Sequence, residues 1–335
     1  MAAATGRRVL GLSAFLFLLL LFVAVVASLP PDRKGAERVV VVRAGSGLAP
    51  IAAQLKAEGL IRSSSTFMVS ALPFRRRLMA GEYRLSTAMS APEIVRRMVR
   101  GMRNIYILTI REGDNIYDVA KQSEKAGIAS AQEFLTVARD STLNRRLGIG
   151  GTTLEGYLAP DTYHYSRETD LPQFLATITR RTTALFADRK VQARMAELHL
   201  DMHRTLTLAS MIEREAQASD EKPLISSVFH NRLARGMSLD CDPTVIYGTG
   251  RFGSPITKAD LATPTPYNTY RLTGLPAGPI ANPDKTSIMA ALYPAQTEYL
   301  YFVATNDGRH AFSKRMNEHN RYVMMYQRVK RPKQQ

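Results

Sequence analysis

The chain has 335 residues, 45% of them apolar, which excludes a disordered polymer and is enough for two or three domains with their own cores. Lys and Arg number 45 against 29 Asp and Glu, a formal charge of +16 that suits an acidic partner: nucleic acid, anionic lipid or an anionic polymer. The single cysteine, Cys241, excludes an intramolecular disulfide.

The first element is an uncharged run from Val9 to Pro31 containing AFLFLLLLFVAVV. Roughly 20 apolar residues in a helix cross a bilayer, so this run predicts an uncleaved N-terminal transmembrane helix that follows Arg7 and Arg8. Residues 1–31 then form a cytoplasmic tail and anchor, with the bulk of the chain exported. Export argues against nucleic acid as the partner of the basic charge.

A polar linker, Asp32 to Glu37, leads to a strand at Arg38–Arg43 (RVVVVR), a Gly45-Ser46-Gly47 turn and a helix over Leu48–Gly59. A second helix is expected near Ser65–Leu72, a strand at Ala80–Leu85, and a helix over Ala91–Gly101 with Pro92 in its first turn. The pattern then repeats 68 residues on: strand 105–110 (IYILTI), Gly113 for Gly45, Ile116 for Leu48, Val119 for Ile51, Gly127 for Gly59. Strand, glycine turn, helix and glycine stop together resemble the start of LysM-type modules, which bind N-acetylglucosamine polymers. A structural βα unit without a sugar site fits equally well. Residues 32–104 are read as a LysM-like α/β module and 105–149 as the second repeat and connector.

Residues 150–328 read as a mixed α+β domain, followed by a basic tail at 329–335. Helices are expected at Leu171–Phe186, Val191–Leu198, Arg204–Gln217 and Pro223–Arg235. A Pro/Gly/Tyr-rich stretch, Asp242–Pro283, carries turns. A last helix begins near Ser287, and strand Tyr299–Ala304 pairs with His310–Ser313 across Asn306-Asp307-Gly308. The fold class is therefore α+β, with an N-terminal transmembrane helix, a small α/β module and a mixed domain.

The sequence has no HExxH, CxxC, P-loop or G-x-S-x-G pattern. His199 and His203 have i, i+4 spacing but no evident third ligand, so no zinc site is expected. TLTLASMIEREAQ (205–217) is more informative. On a helix, Leu208, Met211 and Ile212 form an apolar stripe with Glu215 at its centre, and Glu213 falls on nearly the opposite face, toward water. A poorly hydrated carboxyl holds its proton to higher pH and can donate it to a leaving oxygen. From spacing alone, the plainer reading, a boundary carboxylate paired with an arginine, prevails.

The order of LASMIEREA (208–216), VFHNRL (228–233), LDCDPTVIYG (239–248), TPYNTY (265–270), GLPAGPI (274–280) and ANP (281–283) shifts that balance. With AGEYRLS (80–86), REGDNIYDVA (111–120) and EGYLAPDTY (155–163) upstream, nearly the whole chain resembles the YceG-like family. The resemblance implies a single-pass inner-membrane protein with a LysM-like region and a periplasmic catalytic domain. It also implies lytic cleavage of nascent peptidoglycan strands that leaves 1,6-anhydro-N-acetylmuramic ends. The family's catalytic glutamate is the second of an E-x-E pair, which falls on Glu215. Ala216 departs from the family's frequent Thr, and Asp240 from its frequent Gln.

Asn231, Asp242, Tyr267 and Asn268 are the candidates for holding the sugars. Glu221 either supports the site or caps the helix near Pro223. The expected partners are glycan strands, the bilayer through Val9–Pro31, and peptidoglycan synthases or the elongation machinery, with no nucleic acid. Two alternatives stay open: a hydrolytic muramidase using Asp242 as second carboxylate, and a non-catalytic wall-binding scaffold.

Overall fold

The computed structural model describes residues 22, 25–32, 34–167 and 169–328. The architecture is mixed α+β, but the expected transmembrane helix needs correction. Among the described residues no helix is long and apolar enough to cross a membrane. The described helical stretch 25–28 ends just ahead of Pro30 and Pro31, which lack the N–H a continuing helix needs. Most of the Val9–Pro31 run (9–21, 23 and 24) and the tail 329–335 lie outside the described residues.

The chain divides into two compact units, residues 1–106 with 164–170, and residues 107–163 with 171–335. In the first, β1 (Glu37–Val42) pairs antiparallel with β2 (Gly81–Ser86), from Glu37 opposite Ser86 to Val42 opposite Gly81. The β-branched run suits a pleated, half-buried surface, and Val40 and Val42 point to the core while Val39 stays exposed. Helices α1 (Leu48–Ala57), α2 (Ser64–Ala71) and α3 (Ala91–Val99) cover that core. Leu55, Phe67, Tyr83, Ile94 and Met98 are fully buried within it. Ser63 and Ser90 cap α2 and α3, accepting from the N–H groups of Thr66 and Glu93. Buried Glu82 accepts from Tyr106 Oη at 2.6 Å and Asn104 Nδ2 at 2.8 Å, and pairs with Arg167 at 3.2 Å.

In the second unit, α4 (Ile116–Lys125) repeats α1 at an offset of 68 residues. Gly113 (φ +76°) matches Gly45 (φ +80°), and Gly127 (φ +71°) matches Gly59 (φ +68°). All four need the left-handed backbone that glycine adopts without strain. The strands β3 (Tyr106–Ile110) and β4 (Asp161–Tyr165) pair with each other. Two short helices the periodicity did not reveal, α5 (Ala131–Ala138) and α6 (Ser141–Arg146), are capped by Ser130 and Asp140. Then follow α7 (Leu171–Leu185), α8 (Arg189–Glu197), α9 (Met202–Glu215) and α10 (Lys222–Ala234).

The Asp242–Pro283 stretch is not turns alone. It holds α11 (Asp242–Thr249), opened by Pro243 and closed by left-handed Gly250, and α12 (Lys258–Ala262), opened by a Thr257–Asp260 capping box. The unit ends in α13 (Lys285–Leu292), the β5 (Tyr301–Ala304) and β6 (His310–Ser313) hairpin, and α14 (Met316–Val323).

Helix α9 is the centre of this unit. It packs against α13, α10 and α11, and every residue from Thr205 to Ile212 is buried. Its small polar residues pay no orphan penalty. Thr205 and Thr207 donate to the carbonyls of Asp201 and His203, and Ser210 donates to Thr207 O and accepts from Ile280 N. Asn282 ties the second repeat to this core. Its N–H and Nδ2 both donate to Asp114 O, its carbonyl accepts from Gly113 N, and its Oδ1 accepts from Leu158 N.

Candidate active site

Glu215 is the last residue of α9, and Ala216 turns the chain extended (φ −73°, ψ 126°). The carboxyl therefore sits where the backbone leaves the packed core, half-buried at the wall of a cavity of about 530 Å³. The Cys241 thiol donates a hydrogen bond to it, and Asp242 lies close enough to act on its charge. Burial is the main effect and the Asp242 carboxylate adds to it, so the Glu215 pKa rises from 4.5 to about 6, against the opposing pull of Cys241, His310 and Arg214. Cys241 is itself buried, its thiol pushed up by desolvation and by Glu215, so it is a donor here and not a thiolate.

Asp242, expected as a sugar-holding residue, lines the same cavity and accepts from Tyr270 Oη at 2.5 Å. Its place at the start of α11 puts the carboxylate on the favourable end of a helix dipole. Glu221 does not line the cavity and its side chain does not cap α10. Instead it is buried and grips His310: Oε1 accepts from the His310 N–H at 3.0 Å and Oε2 from Nδ1 at 2.8 Å. With Nδ1 held by Glu221, Nε2 is the ring nitrogen left for a ligand of the cavity His310 lines.

The other three candidates are placed elsewhere. Asn231 gives both Nδ2 hydrogens to loop carbonyls, Thr297 O at 3.0 Å and Tyr299 O at 2.9 Å. Asn268 is fully buried, donating to Leu261 O and Thr263 O and accepting from Tyr270 N. Tyr267 stacks obliquely on Tyr247 with centroids 4.8 Å apart. None of the three lines the cavity. Asn268 still matters indirectly, because it shapes the turn that carries Tyr270.

Glu213 needs a second correction. It was expected to face water, yet its side chain is only 8% exposed and sits 3.2 Å from buried Lys222 Nζ. Its Oε2 also accepts from Asp284 N and from Ser287 Oγ. Lys222 bridges on to Asp284 at 2.9 Å, whose pKa falls to about 2 as Thr286, Ser287 and Lys222 outweigh its desolvation. This network locks the last turn of α9 to the start of α13 on the face away from Glu215.

His199 and His203 do not share a helix face. His199 has φ +53° in the loop before α9, while His203 pairs with Tyr157 Oη at 3.0 Å. No group of three His, Cys, Asp or Glu among the described residues could hold a metal ion.

Reasoning from sequence missed three contributors to the cavity. Tyr270 was visible in TPYNTY but not singled out. His310 was read only as a strand residue. Arg232 braces the wall, donating to Leu300 O at 2.7 Å and Ser238 O at 3.1 Å and pairing with Asp240 at 2.8 Å. Asp240, the position that departs from the resembled pattern, thus serves as that arginine's partner, in a left-handed conformation (φ +49°).

The model of the YceG-like family matches residues 40–325. An endolytic murein transglycosylase of Bacillus subtilis is 32% identical over 324 residues, covering 89% of this chain and 88% of its own length. An endolytic murein transglycosylase of Streptococcus pneumoniae is 28% identical over 333 residues, 88% of this chain but 59% of the relative. The crystal structure of a yceG-like protein from Listeria monocytogenes superposes with a TM-score of 0.60 at 32% identity, covering 86% of this chain and 99% of that one.

Proposed function

The chain belongs to the YceG-like family, and from that premise we propose that its second unit cuts peptidoglycan glycan strands by lytic transglycosylation, with Glu215 as acid and then base. The observation that carries the assignment to Glu215 is a carboxyl at the end of a buried helix, facing a 530 Å³ cavity, with a pKa raised to about 6. A carboxyl tuned this way keeps a usable protonated fraction at neutral pH and still accepts a proton back.

Glu215 first protonates the oxygen between N-acetylmuramic acid and N-acetylglucosamine, and the C1–O bond breaks. The resulting carboxylate then takes the proton of the muramic C6 hydroxyl, whose oxygen closes on C1. The nucleophile belongs to the substrate, so its effective concentration is high and the protein supplies none. Asp242 faces the positive charge that develops at C1, and the Glu221-fixed His310 offers Nε2 to a sugar hydroxyl. This residue set needs neither metal nor cofactor.

Asp242 beside Glu215 also favours a second reading, in which a carboxylate activates water and the reaction is hydrolytic. Mass spectrometry of digested strands separates the two: anhydro ends mark the lytic route, reducing ends the hydrolytic one. Glu215→Gln should abolish either product while strands still bind. A variant that cuts at the wild-type rate would overturn the assignment. Nascent strands are polymerised on the outer side of the cytoplasmic membrane, and the enzyme is proposed to work there beside the synthases or the elongation machinery. Cross-linking of Glu215→Gln in growing cells should capture such neighbours.

A further inference from the structure

The cations of the first unit are unevenly spent. Residues 34–106 carry 13 Lys and Arg against 4 Asp and Glu, +9 of the chain's +16. Several arginines of the second unit are paired, Arg181 with Asp161, Arg251 with Asp260 and Arg309 with Asp220, while others such as Arg145, Arg180 and Arg271 are exposed. In the first unit the guanidinium groups of Arg43, Arg75, Arg76, Arg77, Arg96 and Arg100 are exposed and meet no acidic partner among the described residues. Exposed, unpaired and like-charged side chains at this density repel one another, and only an external anion relieves them.

These arginines fall on one continuous surface. Arg43, Arg75 and Arg76 line a cavity of about 350 Å³ together with the Gly45–Gly47 turn, Leu78 and Met79. Arg96, Arg97 and Arg100 line a second of about 250 Å³ with Met102 and one carboxylate, Glu93, so three cations there face a single acid. Met79 joins the two: its N–H donates to Met98 O at 3.2 Å, and its sulfur lies 2.6 Å from where a side chain on Gly101 would begin. Large apolar side chains stand among the cations, with Leu72 57%, Met79 46% and Met102 53% exposed, and Phe74 just before the Arg75–Arg77 triplet.

We propose that this surface of the first unit docks on an anionic phospholipid bilayer, with arginines on the headgroup phosphates and Leu72, Phe74, Met79 and Met102 at the headgroup–acyl boundary. Charge complementarity gives the sign of the partner, and the unbranched or aliphatic side chains between the cations give its kind. A glycan polymer or a nucleic acid would call for several stacking rings and for amide groups that hydrogen-bond, whereas this surface offers guanidinium, aliphatic side chains and the single ring of Phe74. Such a combination is the signature of an interfacial segment.

The test uses the full chain. Phe74→Cys is labelled with a polarity-sensitive fluorophore, buried Cys241 being protected, and reconstituted with phosphatidylcholine vesicles with or without phosphatidylglycerol. The expected result is a blue shift only with phosphatidylglycerol, reversed by high salt. Replacing Arg75, Arg76 and Arg77 by Gln should weaken it about a hundredfold at low salt. The same three positions as Lys should keep it, because charge and not shape is required; circular dichroism checks that both variants fold. Equal shifts in both vesicle types, or a shift on isolated glycan strands and none on vesicles, would overturn the proposal.

Discussion

The acid–base assignment of Glu215 makes a quantitative prediction about pH. With a pKa of about 6 in place of 4.5, about one carboxyl in eleven holds its proton at pH 7, against about one in 300 for an unperturbed glutamate. The general-acid step should therefore run nearly level from pH 5 to 6, changing less than about twofold, then fall about tenfold per unit above 7. An unperturbed carboxyl would already lose about eightfold between pH 5 and 6. The assay is kcat/KM for release of anhydro ends from purified strands between pH 5 and 8, on a stable protein at constant ionic strength. Because the Asp242 carboxylate raises the Glu215 pKa, Asp242→Asn should move the bend to lower pH as well as slow the reaction. The same shift costs stability. The folded state resists ionising Glu215, so a penalty of up to about 2 kcal/mol is absent below about pH 4.5 and complete above about 6. Glu215→Gln, though inactive, should then melt higher than wild type at pH 8 and alike at pH 4.5. A bend near 4.5, or a Gln variant with no gain at pH 8, would refute the desolvated-acid account.

Three further predictions follow from the surrounding groups. Lys222→Met leaves Glu213 and Asp284 buried without their cation and should cost about 3–5 kcal/mol in urea unfolding; an unaffected midpoint would show that water already shields the pair. Glu155 is almost fully buried, with its pKa raised by desolvation to about 8, so stability should decline as pH rises from about 4.5 through 8, and Glu155→Gln should flatten that slope in thermal melts. Asn231→Ala removes two bonds that hold the 297–299 loop and should cost about 1–3 kcal/mol of stability while leaving KM unchanged; a raised KM on an equally stable protein would return Asn231 to the sugar site.

Much of the fold was legible because it follows local rules. The repeat was visible because glycine at the left-handed positions 45, 59, 113 and 127 has few substitutes. Helices α7 to α10 announced themselves by apolar spacing. Helices α5, α6, α11 and α12 did not, since none exceeds eight residues and a short helix completes too few turns to show a period. Their signals were caps: Ser130, Asp140 and the Thr257–Asp260 box. The expected membrane span rested on composition alone, and the described residues contain no such helix.

The site shows where a one-sided reading of a helix breaks down. The apolar stripe of α9 pointed to Glu215, which does lie at the cavity wall, and the same reasoning sent Glu213 to solvent. That inference assumes one wet face, but α9 is covered on both sides, by α13 as well as by the cavity wall. Thr205, Thr207 and Ser210 look polar in sequence yet are buried, because each spends its hydroxyl on a backbone carbonyl within the helix. Two glutamates separated by one residue thus meet opposite environments. Glu213 has Lys222, Ser287 and the Asp284 N–H, and its charge is used to fasten the helix. Glu215 has one thiol, a neighbouring carboxylate and a cavity, and its charge is left dear enough to be exchanged for a proton. Partners from Lys222 to Ser287, all beyond the end of α9, decide which is which, and no local period encodes them. The anchored Glu213 holds the last turn of α9, and freeing that turn should let Glu215 swing toward water and its pKa relax toward 4.5. Fixing one carboxylate is therefore a structural condition for the acidity of the other.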